Sequence, residues 1–243
     1  MESIISPLVG AIIGFIIEFL RRKLNEYLRF RKPILKVLDG LVTNKDSLLV
    51  LSTISSEEYE DMKGEIIDFS YNPREKFVTM VHDAWGLTLI DNLLRRGGKK
   101  DTIDSKISTF FRDSDWEHDL LLMGSPLSNK ETENALTNSP VQFSTDAKEI
   151  IDRTKNARWS GSADRDYGIV VKLSNRDKVI IVVAGLGPMG TAGAAHYLST
   201  NFRKIAGKFS THSFAVVLQI DRSKGYGQWE EILSRKIISS NSG

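Results

Sequence analysis

Cysteine is absent from the 243-residue chain. Disulfides, thiolate metal centres and cysteine nucleophiles are thereby excluded. Histidine is scarce as well: His82, His118, His196 and His212 are scattered. No two of them stand at the helical spacing of a metal site, so no structural metal is predicted. An excess of one charge is also lacking, the formal net charge being +2. That small excess is unevenly placed: residues 21–32 carry about +5 and residues 33–243 about −1. A near-neutral body lacks the basic face of a nucleic-acid binder, so no direct nucleic-acid partner is expected. No low-complexity tract or internal repeat is found. With 41% hydrophobic and 26% charged residues, the composition is that of a folded chain. The length suits one α/β domain with a short appendage.

What is present begins with Ile4–Leu20, about 17 almost wholly apolar residues, near the minimum for crossing a bilayer. Its basic cluster follows the apolar run, the reverse of a secretory signal. By the positive-inside rule this predicts a single-pass helix in the cell membrane, with the C-terminal domain in the cytoplasm. A buried or interfacial helix is the alternative, because the run is short and Glu18 is costly in lipid. Ser6, Gly10, Gly14 and Glu18 recur every fourth residue and contain a GxxxG, a face suited to self-association into a homo-oligomer. Arg21, Arg22, Lys23, Arg29, Arg31 and Lys32 are assigned to anionic lipid headgroups. Pro33 is expected to stop or kink the helix. The division is therefore 1–32, anchor and basic segment, and 33–243, the globular domain.

Within the domain, strands are expected at 47–54, 119–123, 167–173, 178–184 and 214–220, with a weak extended segment at 65–69. Helices are expected at 34–45, 77–96, 130–136, about 189–204 and 229–237. Residues 138–164 read as a polar connector or flap. Ser174-Asn175-Arg176-Asp177 between two apolar runs fits a hairpin, so one strand is expected to be antiparallel. The fold class is α/β, a Rossmann-like, mostly parallel sheet of about five or six strands flanked by helices, with an N-terminal transmembrane helix.

Two loops carry the candidate ligand chemistry. Lys178–Ala184 is a β-branched run that ends at Gly185-Leu186-Gly187-Pro188-Met189-Gly190, a GxGxxG between a strand and a helix. There Gly185 permits a tight turn, Gly187 lets amides approach a phosphate, and Gly190 lets the helix pack on the sheet. Against a standard NAD-binding fold, the turn lies near the C-terminus and Asp221 comes about 31 residues after Gly190, later than the usual roughly 20. The second loop, Gly124-Ser125-Pro126-Leu127-Ser128-Asn129, opens directly from the strand at 119–123. The ligand-binding candidates are Gly124, Ser125, Ser128, Asn129, Gly185, Gly187, Gly190 and Thr191. An ordinary βα loop with an N-cap at Ser128 or Asn129 is the competing reading of the second loop. For catalysis only Glu131, Asp166 and Asp221 are carboxylates expected near the crevice.

Gly187-Pro188-Met189-Gly190-Thr191 resembles the glycine-rich loop of the SLOG superfamily, Rossmann-like domains that bind nucleotides or nucleotide-derived signals. Hydrolytic members place a glutamate three residues after the threonine; Ala194 stands there. The resemblance implies a nucleotide ligand without that N-glycosidic cleavage. Together, the loops at 124–129, 166–169 and 184–195 resemble an uncharacterised prokaryotic domain family over roughly 119–221. SLOG and TIR-like domains often serve prokaryotic conflict systems. The implied function is a membrane-anchored sensor or effector in signalling or antiviral defence that binds a nucleotide-type or phosphate-bearing ligand and acts through oligomerisation. One alternative is a membrane-depolarising pore or leak whose domain docks an activating protein partner. The other is a nucleosidase or NAD-cleaving hydrolase, the least supported of the three. No cofactor beyond a nucleotide is implied.

Overall fold

The computed structural model describes residues 15–52, 66–68, 78–101, 103–175 and 177–237. A helix, α1 (15–26), passes through a π-helical turn at Tyr27–Arg31 into α2 (Lys32–Thr43). The strands follow as β1 (Leu48–Leu51), β2 (Ile66–Asp68) and β3 (Val78–Met80). Next come α3 (Val81–Gly97), β4 (Asp104–Ile107), β5 (Leu120–Met123) and α4 (Lys130–Leu136). A small sheet is made of β6 (Val141–Phe143), β7 (Glu149–Asp152) and β8 (Ala157–Ser160). The chain ends with β9 (Arg165–Asn175), β10 (Lys178–Gly185), α5 (Pro188–Phe209), β11 (Phe214–Asp221) and β12 (Trp229–Lys236).

The main sheet has seven strands in the order β12-β11-β9-β10-β5-β1-β4. Strands β4, β1, β5 and β10 pair in parallel, whereas β10-β9, β9-β11 and β11-β12 are antiparallel. This corrects the expected five or six mostly parallel strands. The β9-β10 hairpin inserts an antiparallel strand at the centre, because so short a turn leaves no room for a crossover. The expected helix at 229–237 is the edge strand β12. Its apolar residues keep a helical spacing; pairing with β11 through a bulge between Val217 and Leu218 overrides it and makes the segment a strand.

Alternation along the strands builds two cores. Leu49, Leu121, Ile181, Val183, Val170 and Val216 face α2, α3 and α5. Leu48, Leu122, Val182, Ile169 and Val217 face the layer made by α4 and the small sheet, meeting Leu136, Val141 and Ile150. The stretch expected to be a flap is thus a folded, three-stranded layer. On the helical side, Leu38 breaks the α2 geometry (φ −121°, ψ 25°), and the buried Lys172 donates to the Lys36 carbonyl at 3.0 Å. Burial pushes the Lys172 ammonium down to about 8, Asp39 opposing it.

The N-terminal expectation is also corrected. Among the described residues no helix is long and apolar enough to cross a membrane, which overturns the expected single-pass membrane helix. From residue 18 onward the helix carries Glu18, Arg21, Arg22, Lys23, Glu26, Arg29 and Arg31, and its unbroken apolar run ends at Leu20. Ser6, Gly10 and Gly14, three of the four residues of the expected self-associating face, lie outside the described residues. Glu18 pairs with Arg22 at 3.0 Å and Arg21 at 3.8 Å along its own helix. Pro33 does not stop the helix: Glu26, Arg31 and Lys32 keep helical φ/ψ, and the π-turn closed by Lys32 N–H to the Tyr27 carbonyl accommodates the proline, which has no N–H to donate.

Candidate functional site

The strand order reverses at β1, whose chain passes through α3 to β4 on one side while β5 pairs on the other. The carboxyl ends of β1 and β5 are therefore where an open α/β sheet places its crevice. Ser52, just past β1, donates to Asp83 in the first turn of α3, and both are buried. Burial pushes the Asp83 carboxyl up, against the Ser52 hydrogen bond and the neighbouring His82. Past β5, Gly124 has φ +102°, and a Cβ there would come 2.7 Å from Ser52 Cβ. Asn129 is consumed by structure: its Nδ2 donates to the Val50 and Met123 carbonyls at 3.2 and 2.9 Å, and its Oδ1 caps α4 through Glu131 N–H. It staples the ends of β1 and β5. Ser125 and Ser128 are half-buried, with Ser128 Oγ donating to the Ser125 carbonyl at 3.3 Å.

At the glycine turn the predicted strand-to-helix geometry forms, but the amides of Leu186, Gly187, Gly190 and Thr191 are engaged. Asp166, fully buried at the start of β9, accepts from Tyr167, Gly187 and Gly190 N–H at 2.8, 3.1 and 2.8 Å. Leu186 N–H bonds the Tyr167 carbonyl and Thr191 N–H bonds the Gly187 carbonyl. A carboxylate of the chain itself thus occupies the position in which a phosphate was expected at the start of α5. Arg222, half-exposed, lies 3.9 Å from the same carboxylate. Gly185 and Gly190 serve close packing: a Cβ on either would overlap backbone of the facing segment. Thr191 is buried.

The three carboxylates considered for catalysis do not converge. Asp166 is the internal cap just described. Asp221 lies one register step away, opposite Arg165, and holds the following turn. Its carboxylate accepts from the Ser223 hydroxyl and amide and pairs with Lys224, which together hold it down at about 2. Glu131 sits on α4 and accepts from Asn134 at 2.9 Å. Among the described residues no group of three or more His, Cys, Asp or Glu could hold a metal.

A cleft of about 170 Å³ opens beside the β5-α4 loop. It is lined by Pro126, by Glu133, Leu136 and Thr137 of α4, by Gln142, Phe143 and Thr145 of the β6-β7 hairpin, and by Arg153. Leu136 and Phe143 form a buried apolar floor, whereas Arg153 and Glu133 stand exposed at the rim. Of these residues, only Pro126 lies in a loop whose sequence marks it for ligand binding. Val141-Gln142-Phe143 followed by Glu149-Ile150-Ile151-Asp152 was the available hairpin signal.

Beside α5 a second cluster gathers residues that the sequence leaves apart. Trp229 Nε1–H donates to His196 Nδ1 at 3.1 Å, which fixes the neutral tautomer with its proton on Nε2. Trp85 and Tyr226 pack against the imidazole, and burial pushes its pKa down. The unfolded chain therefore binds this proton more readily than the native one. Stability from this group is complete above the unfolded value of about 6.5 and is lost as pH falls below it. The expected result is a melting temperature that declines from about pH 7 to pH 5, with a shallower slope in His196→Gln. A second decline is expected below about pH 4.5. Burial of Glu231 opposes its ionisation, but hydrogen bonds from Lys204 and Tyr197 outweigh this and hold it at about 2.

No protein-family model matches the chain, and no curated protein matches its sequence.

Proposed function

We propose that the domain is a sensor module for a small phosphate-bearing ligand of nucleotide type, seated in the cleft between α4 and the β6-β7 hairpin. The observation that carries the reading is the lining of that cleft. An apolar floor of Leu136 and Phe143 suits a planar ring, Gln142, Thr137 and Thr145 offer hydrogen bonds, and Arg153 supplies a guanidinium for phosphate. The cleft shares Pro126 with the loop whose Asn129 ties β1 to β5. Occupancy would thus bear on the centre of the main sheet. The glycine turn has no part in this reading, because Asp166 already takes the Gly187 and Gly190 amides.

A melting-temperature screen of the full chain against nucleosides and their mono-, di- and triphosphates tests it. A ligand at 100 times its Kd stabilises by about 2.7 kcal/mol, roughly a 5–10 °C shift for a chain of this size. The expected result is a shift by phosphorylated members that Arg153→Ala diminishes at least about tenfold in affinity, the bare nucleoside being little affected. No shift by any member, or a shift that Arg153→Ala and Gln142→Trp both leave intact, would overturn the reading.

A further inference from the structure

The basic segment of the N-terminal helix does not stand alone in the fold. Phe30, half-buried in the π-turn, is packed against the helical core. Around its ring lie three guanidinium groups from three elements: Arg96 at 4.6 Å, Arg203 at 5.1 Å and Arg29 at 5.2 Å from the centroid. Arg96 lies in the last turn of α3 and Arg203 in the C-terminal third of α5, so both reach the turn from far along the chain. Phe202 takes part as a second ring, 6.0 Å from Arg96 and 5.6 Å from Arg203. None of the three arginines has a carboxylate partner among the described residues. Arg21, Arg22 and Lys23, by contrast, are matched along α1 by Glu18 and Glu26.

Three like charges gathered on one ring repel one another, and cation–π contact offsets only part of that cost. An external anion would offset the remainder. What lies beside it identifies the kind. The same helix continues into exposed apolar turns, with Phe15 at 73%, Ile17 at 60% and Leu20 at 59% exposure. A cluster of arginines next to exposed apolar turns matches the headgroup and acyl boundary of an anionic bilayer surface. A nucleic acid or a free phosphate would leave those apolar side chains in water. We propose that Arg29, Arg96 and Arg203, gathered on Phe30, form a docking surface for anionic phospholipid headgroups. The contact is interfacial, made from one side of the bilayer, and is independent of the cleft at α4.

The test is co-sedimentation of the full chain with vesicles of phosphatidylcholine alone and of phosphatidylcholine containing one third phosphatidylglycerol. Binding is expected to require the anionic lipid and to weaken as salt is raised. The Arg96→Gln/Arg203→Gln double variant is expected to lose about 30-fold in partitioning, the effect of two basic side chains at such a surface. Arg158→Gln, on the opposite layer of the sheet, is expected to bind as the native chain does, and melting temperatures of both variants establish that they fold. Four results would overturn the proposal: no binding, equal binding to both vesicle types, undiminished binding by the folded double variant, or displacement by inorganic phosphate beyond that by chloride of equal ionic strength.

Discussion

Asp166→Ala is expected to destabilise the domain by about 3–5 kcal/mol and to make it responsive to sulfate. The carboxylate accepts three backbone N–H groups at once, from Tyr167, Gly187 and Gly190. Hydrogen bonds to a charged partner contribute roughly 1.5–3 kcal/mol each, and buried donors left unpaired cost more than a lost bond in water. Three such contacts do not add in full, because a water can enter the space left by the side chain. At roughly 2–4 °C per kcal/mol, the melting temperature is expected to fall by about 10 °C. Removal of the carboxylate also opens an anion seat at the start of α5, with amides already aimed at it. Sulfate strengthens folded proteins in general, so the informative quantity is the excess rescue of the variant over the native chain at matched concentration. A variant as stable as the native chain, or one that sulfate rescues no better, would show that the cap contributes little. A native chain stabilised by triphosphates in a manner abolished by Gly187→Val would show that the turn itself is an anion site.

The same pair of segments shows what the sequence could and could not disclose. The strand before Gly185 and the helix after Pro188 were legible, since a β-branched run ending in small residues has few other ways to fold. The order of events inside that turn was not. Asp166 lies 21 residues before Gly187, and only the antiparallel pairing that sets Gly168 opposite Gly185 brings its side chain to the amides. A glycine motif reports backbone shape; whether its N–H groups remain free depends on a partner that local pattern does not reveal. Asn129 was legible as a cap, and its role as the staple between β1 and β5 required the strand order. Over residues 229–237 the apolar Trp229, Ile232, Leu233 and Ile237 satisfied a helical period, and the bulged pairing of β12 with β11 overrode it. The basic excess at 21–32 was visible as composition, but Arg96 and Arg203 join it only because α3 and α5 pack side by side. In each case the element was readable from its own residues, and the contact that assigns its role came from a distant one.

Gly190→Ala and Gly207→Ala, the same substitution in one helix, are expected to act with opposite sign. Both glycines lie within α5, where alanine is intrinsically favoured by about 1 kcal/mol. Gly207 is exposed and a Cβ there meets nothing within 4 Å, so Gly207→Ala is expected to stabilise by about 0.5–1 kcal/mol. At Gly190 a Cβ would overlap the Tyr167 carbonyl oxygen and approach Gly185 Cα to 2.9 Å. Both obstacles are backbone, held in the β9-β10 ladder, so neither can rotate aside as a side chain would. Gly168 faces the Gly190 carbonyl with equally little room, and the three glycines together let the helix start rest directly on two strands. Accommodating a methyl group means moving the helix start away from the sheet, which also lengthens the Gly190 N–H bond to Asp166. Overpacking costs about 1–3 kcal/mol where side chains can give; with rigid backbone on both sides and a charged hydrogen bond weakened, about 3–5 kcal/mol is expected. Urea midpoints of the two variants measured beside the native chain decide the matter, provided the slopes agree. Equal midpoints for Gly190→Ala and Gly207→Ala would mean that the helix start is not seated on the sheet. The internal cap by Asp166, which depends on that seating, would then fall with it.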